Sequence, residues 1–346
     1  MSKYVVAVVG ATGLVGKEMV DTLEKRQFPV SRLIPLASER SLGSTVFFQG
    51  QHVPVALLTP SSFEGVDIAL FSAGGDISKE YAPFAVSSGA VVVDNTSHFR
   101  MHPQVPLVVP EVNGEALKQH QGIIANPNCS TAQMVMALKP LYDAVGIQRL
   151  VISTYQSVSG AGKEALEALE SQTRAALSGA PHTGKEEPFL FAFNVVPQID
   201  VFLDNGYTKE EMKLIQETQK IFNDASIQVT ATAVRVPVFV SHSESVNVQL
   251  KSPLSVEKVR SLLSKMPGVQ VLDDPEHRHY PMPRLIQSQD DVFVGRIRQD
   301  LSHPHGIELW IVADNLRKGA ALNAVQIAES LISMSLVAVP QVSVFS

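Results

Sequence analysis

The sequence predicts an α/β fold in two domains: an open parallel sheet at the N-terminus, followed by an α+β domain with a mixed sheet. Three observations carry that reading. The chain has 346 residues, beyond the usual size of one domain. A continuous apolar run, a glycine-rich turn and an amphipathic segment follow one another over residues 4–25, which is the order strand, turn, helix. Further on, residues 228–240 alternate and are rich in β-branched side chains, a strand pattern of a different kind.

Composition narrows the function. Hydrophobic residues make up 45% of the chain and charged residues 18%, enough apolar material for sizeable cores. A net charge of −6 and the lack of a basic run argue against a nucleic-acid partner. No stretch reaches the ~20 apolar residues of a membrane helix; residues 327–345 are apolar, but Glu329 and Pro340 interrupt them. The first residues lack the charged region, long apolar stretch and small-residue cleavage site of a signal peptide, so none is expected. Cys129 is the single cysteine, so neither an intramolecular disulfide nor a cysteine metal cluster is expected. A reducing, cytoplasmic setting fits a free thiol.

Residues 4–9 suit a parallel strand buried on both faces. Gly10-Ala11-Thr12-Gly13-Leu14-Val15-Gly16 follows, and apolar residues then recur at Leu14, Val15, Met19, Val20 and Leu23, a helical spacing. The glycines permit a tight turn and let backbone N–H groups approach a pyrophosphate at the helix start. In this context the pattern reads as a Rossmann-type dinucleotide site, the alternative being an ordinary β–α turn. Residues 32–37 form the second strand. An NAD-selective site places an acid near its end. Here Ser38-Glu39-Arg40-Ser41 stands there. Arg40 with Ser38 suits a 2′-phosphate, so NADP is expected; the other reading is a solvated charged loop. Strands at residues 67–71 and 90–94 flank a helix at 77–88, opened by Ser72-Ala73-Gly74-Gly75. Ligands on open α/β sheets bind at such strand ends. Asn95, Ser97 and Arg100 lie just past one of them, which makes Arg100 either an anion binder or a surface arginine.

Cys129 sits in Asn126-Pro127-Asn128-Cys129-Ser130-Thr131, where a loop opens into a helix over residues 130–141. A thiol in a first helical turn is favoured as thiolate by free N–H groups and the helix dipole. From this segment alone, a nucleophile and a buried structural cysteine both remain open. Residues 150–156 read as a strand, followed by the loop Ser157-Val158-Ser159-Gly160-Ala161-Gly162-Lys163 and a helix at 164–177. Residues 179–187 look like an exposed loop. A helix at 208–223 opens with a capping box, Thr208 and Glu211. Glu210 and Lys213 share one of its faces, a spacing that a plain surface ion pair also explains. The strand at 228–240 carries Arg235 and leads to His242, seven residues on. An odd offset puts the two on opposite faces of a regular strand, so a shared site requires Pro237 or a bulge to redirect the chain. Ten histidines leave any one of them a weak candidate base. Strands at 291–297 and 306–313 continue the sheet, and Asn315 starts a final helix expected to return to the first domain. The expected division is therefore 1–128 with 315–346, and 129–314.

Taken in order, the glycine loop, Ala37-Ser38-Glu39-Arg40-Ser41, the Asn126 to Thr131 segment, Gln156-Ser157-Val158-Ser159-Gly160-Ala161-Gly162, Arg235-Val236-Pro237-Val238 through His242, Val294-Gly295-Arg296-Ile297-Arg298 and Asp314-Asn315-Leu316-Arg317-Lys318-Gly319-Ala320 resemble the aspartate-β-semialdehyde dehydrogenases over essentially the whole chain. The resemblance implies reversible reductive dephosphorylation of L-4-aspartyl phosphate by NADPH, giving L-aspartate 4-semialdehyde and phosphate. That step serves lysine, diaminopimelate, methionine, threonine and isoleucine biosynthesis. It implies a homodimer joined through the second domain's sheet, with Cys129 as nucleophile, His242 as acid/base and Gln156 orienting beside the thiol. Arg235 would bind the substrate carboxylate, Glu210 its amino group, and Arg100, Asn128 and Lys213 the phosphate. Gly10, Thr12, Gly13, Leu14, Val15, Ser38, Arg40 and Ser72 would hold NADP, with Asn315 and Ser159, Gly160 and Gly162 near the nicotinamide. One rival is N-acetyl-γ-glutamyl-phosphate reductase, whose substrate amine is blocked; Glu210 and Arg235 speak against it. The other is a regulatory protein that binds NADP without turnover; the full set of catalytic residue types speaks against that.

Overall fold

The computed structural model describes residues 3–179 and 190–339. They form two compact units, one running to Asn128 and resuming at Ala320, the other spanning Cys129–Gly319. Residues 315–319, expected with the first domain, belong to the second. The reason is Asn315, whose side chain is bonded to Ser157, Ser159 and the Ser241 backbone.

In the first unit, β1 (Tyr4–Val9) leads through the glycine turn into α1 (Leu14–Lys25) and β2 (Val30–Ala37). A hairpin of β3 (Thr45–Phe48) and β4 (Gln51–Pro54), absent from the sequence reading, precedes β5 (Ala56–Leu57). Then come β6 (Ile68–Phe71), α2 (Gly75–Ser87), β7 (Val91–Asp94), the short helix α3 (Pro110–Asn113) and β8 (Ile123–Ala125). The sheet order is β5-β2-β1-β6-β7-β8, and every pairing is parallel. β6 and β7 are buried throughout, which is why parallel strands covered on both faces read as unbroken apolar runs. The winding direction reverses between β2 and β6 on either side of β1, so their carboxyl ends open a crevice. Gly10 has φ +84°, a left-handed conformation that favours glycine. A Cβ on Gly16 would lie 2.1 Å from the Gly10 carbonyl oxygen.

The second unit contains α4 (Cys129–Val145), β9 (Ile147–Gln156), α5 (Lys163–Leu177), α6 (Lys209–Phe222), β10 (Gln228–Arg235), β11 (His242–Leu250), α7 (Val256–Leu263), β12 (Val269–Val271), the short α8 (Pro283–Ile286), β13 (Val292–Gln299) and β14 (Gly306–Ala313). Its sheet runs β10-β9-β11-β14-β13-β12. The β10–β9 and β12–β13 pairs are parallel and the rest antiparallel, so the sheet is mixed. α4 packs along β9, β11, β13 and β14. The capping box on α6 is present: Glu211 N–H donates to Thr208 Oγ1 at 3.3 Å, and Thr208 N–H to Glu211 Oε2 at 2.7 Å. The expected loop at 179–187 lies outside the described residues except for Gly179.

The chain returns through a π-helical turn, Arg317–Ala321, into α9 (Leu322–Ser333), which packs on α1 and α3. Asn323 Nδ2 donates to Asn126 Oδ1 at 2.6 Å and to Val108 O at 3.0 Å. Asn126 in turn donates from its side chain to Asn95 Oδ1 at 2.6 Å and from its backbone to Asp94 O at 2.8 Å. The segment preceding Cys129 is thereby fastened to two elements of the first unit. Among the described residues, no helix is long and apolar enough to cross a membrane.

The Gly10–Gly16 contact is backbone against backbone, so neither side can give way. Gly16→Ala is expected to destabilise the protein by about 1–3 kcal/mol, read as a lower urea midpoint. An unchanged midpoint would show that the turn has room to spare.

Candidate active site

Cys129 is the first residue of α4 and is half-buried. Its neighbour across the chain is Gly319, where a Cβ would stand 2.7 Å from the Cys129 Cβ. That position must be glycine for the thiol to keep its place.

Strand register explains how the other groups reach one side. Arg235 pairs with Gln156 and Ser243 with Tyr155, and cross-strand partners point to the same face. Side chains alternate along each strand, so Gln156, Arg235 and His242 share the buried face of the sheet, the one that α4 covers. The offset between Arg235 and His242 is resolved by a change of strand. β10 stops at Arg235, the connection passes Pro237 and Ser241 takes φ +78°, and β11 begins afresh at His242. The strand expected at 228–240 ends early, at Arg235, and β11 is a further strand that the sequence reading did not include, its polar residues having concealed it.

His242 is fully buried. Its Nδ1 accepts the Ser157 N–H at 3.0 Å and lies 3.0 Å from Ser157 Oγ. With Nδ1 acting as acceptor, Nε2 carries the proton of the neutral ring, and Nε2 has no hydrogen-bond partner. Burial and then the Arg235 charge hold the imidazole well below its ordinary value. Arg235 Nη1 donates to Ser157 O at 2.9 Å. Burial lowers the Arg235 guanidinium too, while Glu210 and Cys129 act in the opposite direction, which places thiol, carboxylate and guanidinium in one electrostatic neighbourhood. A Cβ on Gly160 would meet Arg235 Nη1 at 2.9 Å and His242 Nε2 at 3.2 Å, so Gly160 closes the site without filling it.

Asn315 joins the loops. Its Oδ1 accepts from Ser157 Oγ and Ser159 Oγ at 3.1 Å and from the Ser241 N–H at 2.9 Å. Ser157 was not singled out from the sequence, although it lies in the Gln156–Gly162 loop that was. A second network runs along α6. Gln156 Nε2 donates to Glu210 Oε1 at 3.1 Å. Glu210 Oε2 receives Lys213 Nζ at 3.1 Å, and Lys213 reaches Asp200 at 2.9 Å. Burial works against the Lys213 charge, but Glu210 and Asp200 outweigh it and hold the ammonium above its ordinary value.

The first unit holds a separate feature. A cavity of about 530 Å³ opens at the ends of β1, β2 and β6, lined among others by Gly10, Thr12, Gly13, Ser38, Glu39, Ser41 and Ser72. Thr12 Oγ1 and Ser41 Oγ lie 3.0 Å apart, tying the two loops that border it. Gly13 caps α1 with no side chain over the first N–H groups. Arg40 is exposed on the turn beside Glu39, and Leu14 and Val15 begin α1. Arg100 also belongs to this unit: it is buried and donates to Asn126 O and Asn95 O, both at 2.9 Å. Asn128 is buried immediately before Cys129. Gly162 has φ +94° and precedes α5. Among the described residues, no cluster of histidine, cysteine and acidic side chains is placed to hold a metal.

Comparison with known proteins fits this layout. Residues 5–120 match the family model for the semialdehyde dehydrogenase NAD binding domain, and residues 138–318 match the semialdehyde dehydrogenase dimerisation domain. The aspartate-semialdehyde dehydrogenase of Legionella pneumophila is 56% identical over 96% of each chain. That of Aquifex aeolicus is 54% identical over 96% of this chain and 99% of its own. The structure of aspartate semialdehyde dehydrogenase II from Vibrio cholerae, complexed with ASA, is 52% identical and superposes with a TM-score of 0.93 over 96% of this chain and 99% of that one. The Candida albicans enzyme, solved with NADP, is 26% identical with a TM-score of 0.75 over 97% of this chain and 100% of that one. With half its sequence shared along nearly its full length, this chain belongs to the aspartate-semialdehyde dehydrogenase family.

Proposed function

We propose that the protein catalyses the reversible, NADPH-dependent conversion of L-4-aspartyl phosphate into L-aspartate 4-semialdehyde and phosphate. This is a step toward lysine, diaminopimelate, methionine, threonine and isoleucine, in the cytoplasm, where a free thiol persists. The observation that carries the reading is Cys129 at a helix start, sharing its surroundings with Arg235, Glu210 and a buried, neutral His242.

An acyl phosphate is already activated. Attack by the Cys129 thiolate on its carbonyl forms a carbon–sulfur bond, expels phosphate and leaves a thioester. A backbone N–H at the start of α4 would be the donor for the oxygen that becomes anionic. Bound NADPH supplies the hydride that reduces the thioester. The Nε2–H of neutral His242 donates a hydrogen bond to the oxygen that becomes anionic as the thioester is reduced, and that oxygen reforms a carbonyl as the carbon–sulfur bond breaks, freeing the aldehyde and returning Cys129 as thiolate. Arg235, a fork of donors, suits the substrate carboxylate, and Glu210, held by Gln156, suits the amino group. Lys213, Arg100 and Asn128 are assigned to phosphate.

The first-unit cavity fits a dinucleotide phosphate. Uncapped N–H groups at the start of α1 suit a pyrophosphate. Ser38 and exposed Arg40 suit a 2′-phosphate. Gly160, Gly162, Ser159 and Asn315 are assigned to the nicotinamide side. Residue Asn315 acts there through the loop, because its oxygen is already committed. The homodimer uses the sheet face of the second unit that α4 leaves open. Tyr155 and Trp310 meet there as a tilted ring pair with centroids 5.5 Å apart, with Tyr155 exposed.

Purified protein supplied with L-aspartate 4-semialdehyde is expected to reduce NADP+ only when phosphate is present, and Cys129→Ser to abolish that signal. Wild-type protein that binds NADP+ yet shows no phosphate-dependent reduction would overturn the assignment. Arg40→Ala is expected to raise the KM for NADP+ roughly ten- to a hundredfold, the loss of one charge-assisted contact, with the KM for NAD+ little changed; equal losses for both would remove Arg40 from the 2′-phosphate. Because the folded His242 value lies below the free one, its ring stays neutral as pH falls through 6.5. Nitrogen-15 NMR of histidine-labelled protein should show the Nε2–H tautomer still in place at pH 6, while exposed histidines titrate; a midpoint near 6.5 for His242 would contradict the buried geometry.

A further inference from the structure

Glu244 has no role in the chemistry above, yet it is fully buried two residues along β11 from His242. Alternation puts both side chains on the face that α4 covers. The groups around Glu244 can be read from the register. Thr154 of β9 and Ile311 of β14 lie opposite it, and Ser130 and Gln133 reach it from the first turns of α4. His242 is its neighbour on the strand itself. There is no lysine or arginine among these groups. Neither carboxyl oxygen has a partner at full hydrogen-bond geometry, and Gln133 Oε1 lacks one as well. Gln133 Nε2 approaches the His242 carbonyl oxygen at 3.4 Å. Burial raises the Glu244 carboxyl well above its ordinary value, with Gln133 and Ser130 only partly opposing. Full burial, with no cation beside it and neither oxygen partnered, favours the neutral acid, whose O–H needs an acceptor.

We propose that Glu244 is a positioning residue for the reaction, its carboxyl group joining Gln133 on the Cys129 helix to the start of the strand that carries His242. The O–H donates to the vacant Gln133 Oε1, and the Gln133 amide donates to the His242 carbonyl. Gln133 lies one turn beyond Cys129, so the link sets the nucleophile's helix against the acid/base's strand. Neutrality also matters, because a carboxylate beneath the helix start would oppose a thiolate in the same turn.

The inference rests on the Cys129 and His242 assignments above, so its test separates the two. Glu244→Gln keeps an uncharged donor for Gln133, whereas Glu244→Met fills the same volume without one. Turnover is measured with L-aspartate 4-semialdehyde, NADP+ and phosphate, and thiol reactivity by iodoacetamide alkylation of Cys129 from pH 5 to 9. Glu244→Met is expected to lose roughly tenfold in kcat, the scale of one buried hydrogen bond, with KM within about twofold and no loss of melting temperature. Glu244→Gln should restore kcat and reproduce the wild-type alkylation profile. Combining Glu244→Met with Gln133→Met should be no worse than either alone. Wild-type kcat in Glu244→Met overturns the proposal. So does a Glu244→Gln enzyme as slow as the Met variant with a displaced alkylation profile, since the carboxylate would then act by its charge. Should Glu244→Met fold poorly, Gln133→Met breaks the same link from the helix side and decides in the same way. Alkylation reads the thiol without turnover, so an inactive wild type with a reactive Cys129 would count against the proposed function and not against Glu244.

Discussion

The site depends on one amide. Asn315 accepts three hydrogen bonds at a single oxygen, two from the serines of the Ser157–Gly162 loop and one from the backbone at Ser241. Ser157 holds His242 through Nδ1 and receives Arg235 at its carbonyl. Ser241 is the residue whose left-handed backbone resets the register and launches β11. The segment carrying Asn315 runs on to Gly319, which leaves room for the Cys129 Cβ. Four separate stretches of sequence thus meet at groups that cannot exchange with water, because Asn315, Ser157 and Ser241 are all buried. In such surroundings a lost partner leaves a desolvated polar atom behind, so each bond constrains its neighbours more than an exposed one would.

Much of this was legible in the chain because it obeys local rules. The parallel strands of the first unit are buried on both faces and read as unbroken apolar runs. The turn from β1 into α1 needs glycine for steric reasons, and the capping box on α6 follows from two residues three apart. Even the Glu210–Lys213 pair could be placed by helical spacing.

What stayed hidden depends on packing between distant segments. β11 alternates Ser243, Ser245, Asn247 and Gln249 on one face with His242, Glu244, Val246 and Val248 on the other. Two polar residues on its inner face broke the apolar signal, and both lie at the reaction end. The hairpin of β3 and β4 is short and largely exposed, so it carries little hydrophobic pattern. The boundary near residue 315 was missed for a similar reason. Asn315 looks like a helix start in sequence, but its side chain is taken by loops more than seventy residues away, and the helix waits until Leu322.

The charges along α6 show why proximity alone does not define a binding role. Lys213 is held by two carboxylates of different character. The Glu210 side chain is 7% exposed and also accepts from Gln156, whereas the Asp200 side chain is 32% exposed. Breaking the Glu210 contact would strand a buried acid with a weakened partner, a costly change. The Asp200 contact is screened by solvent, and such pairs contribute little on their own. For Lys213 to hold phosphate, Asp200 is the partner that yields, and a doubly charged phosphate replaces a singly charged carboxylate at the same ammonium. Glu210, held by both Gln156 and Lys213, is the better fixed of the two carboxylates, so on the proposed assignment it would stay in position for a substrate amino group while Asp200 gave way to phosphate.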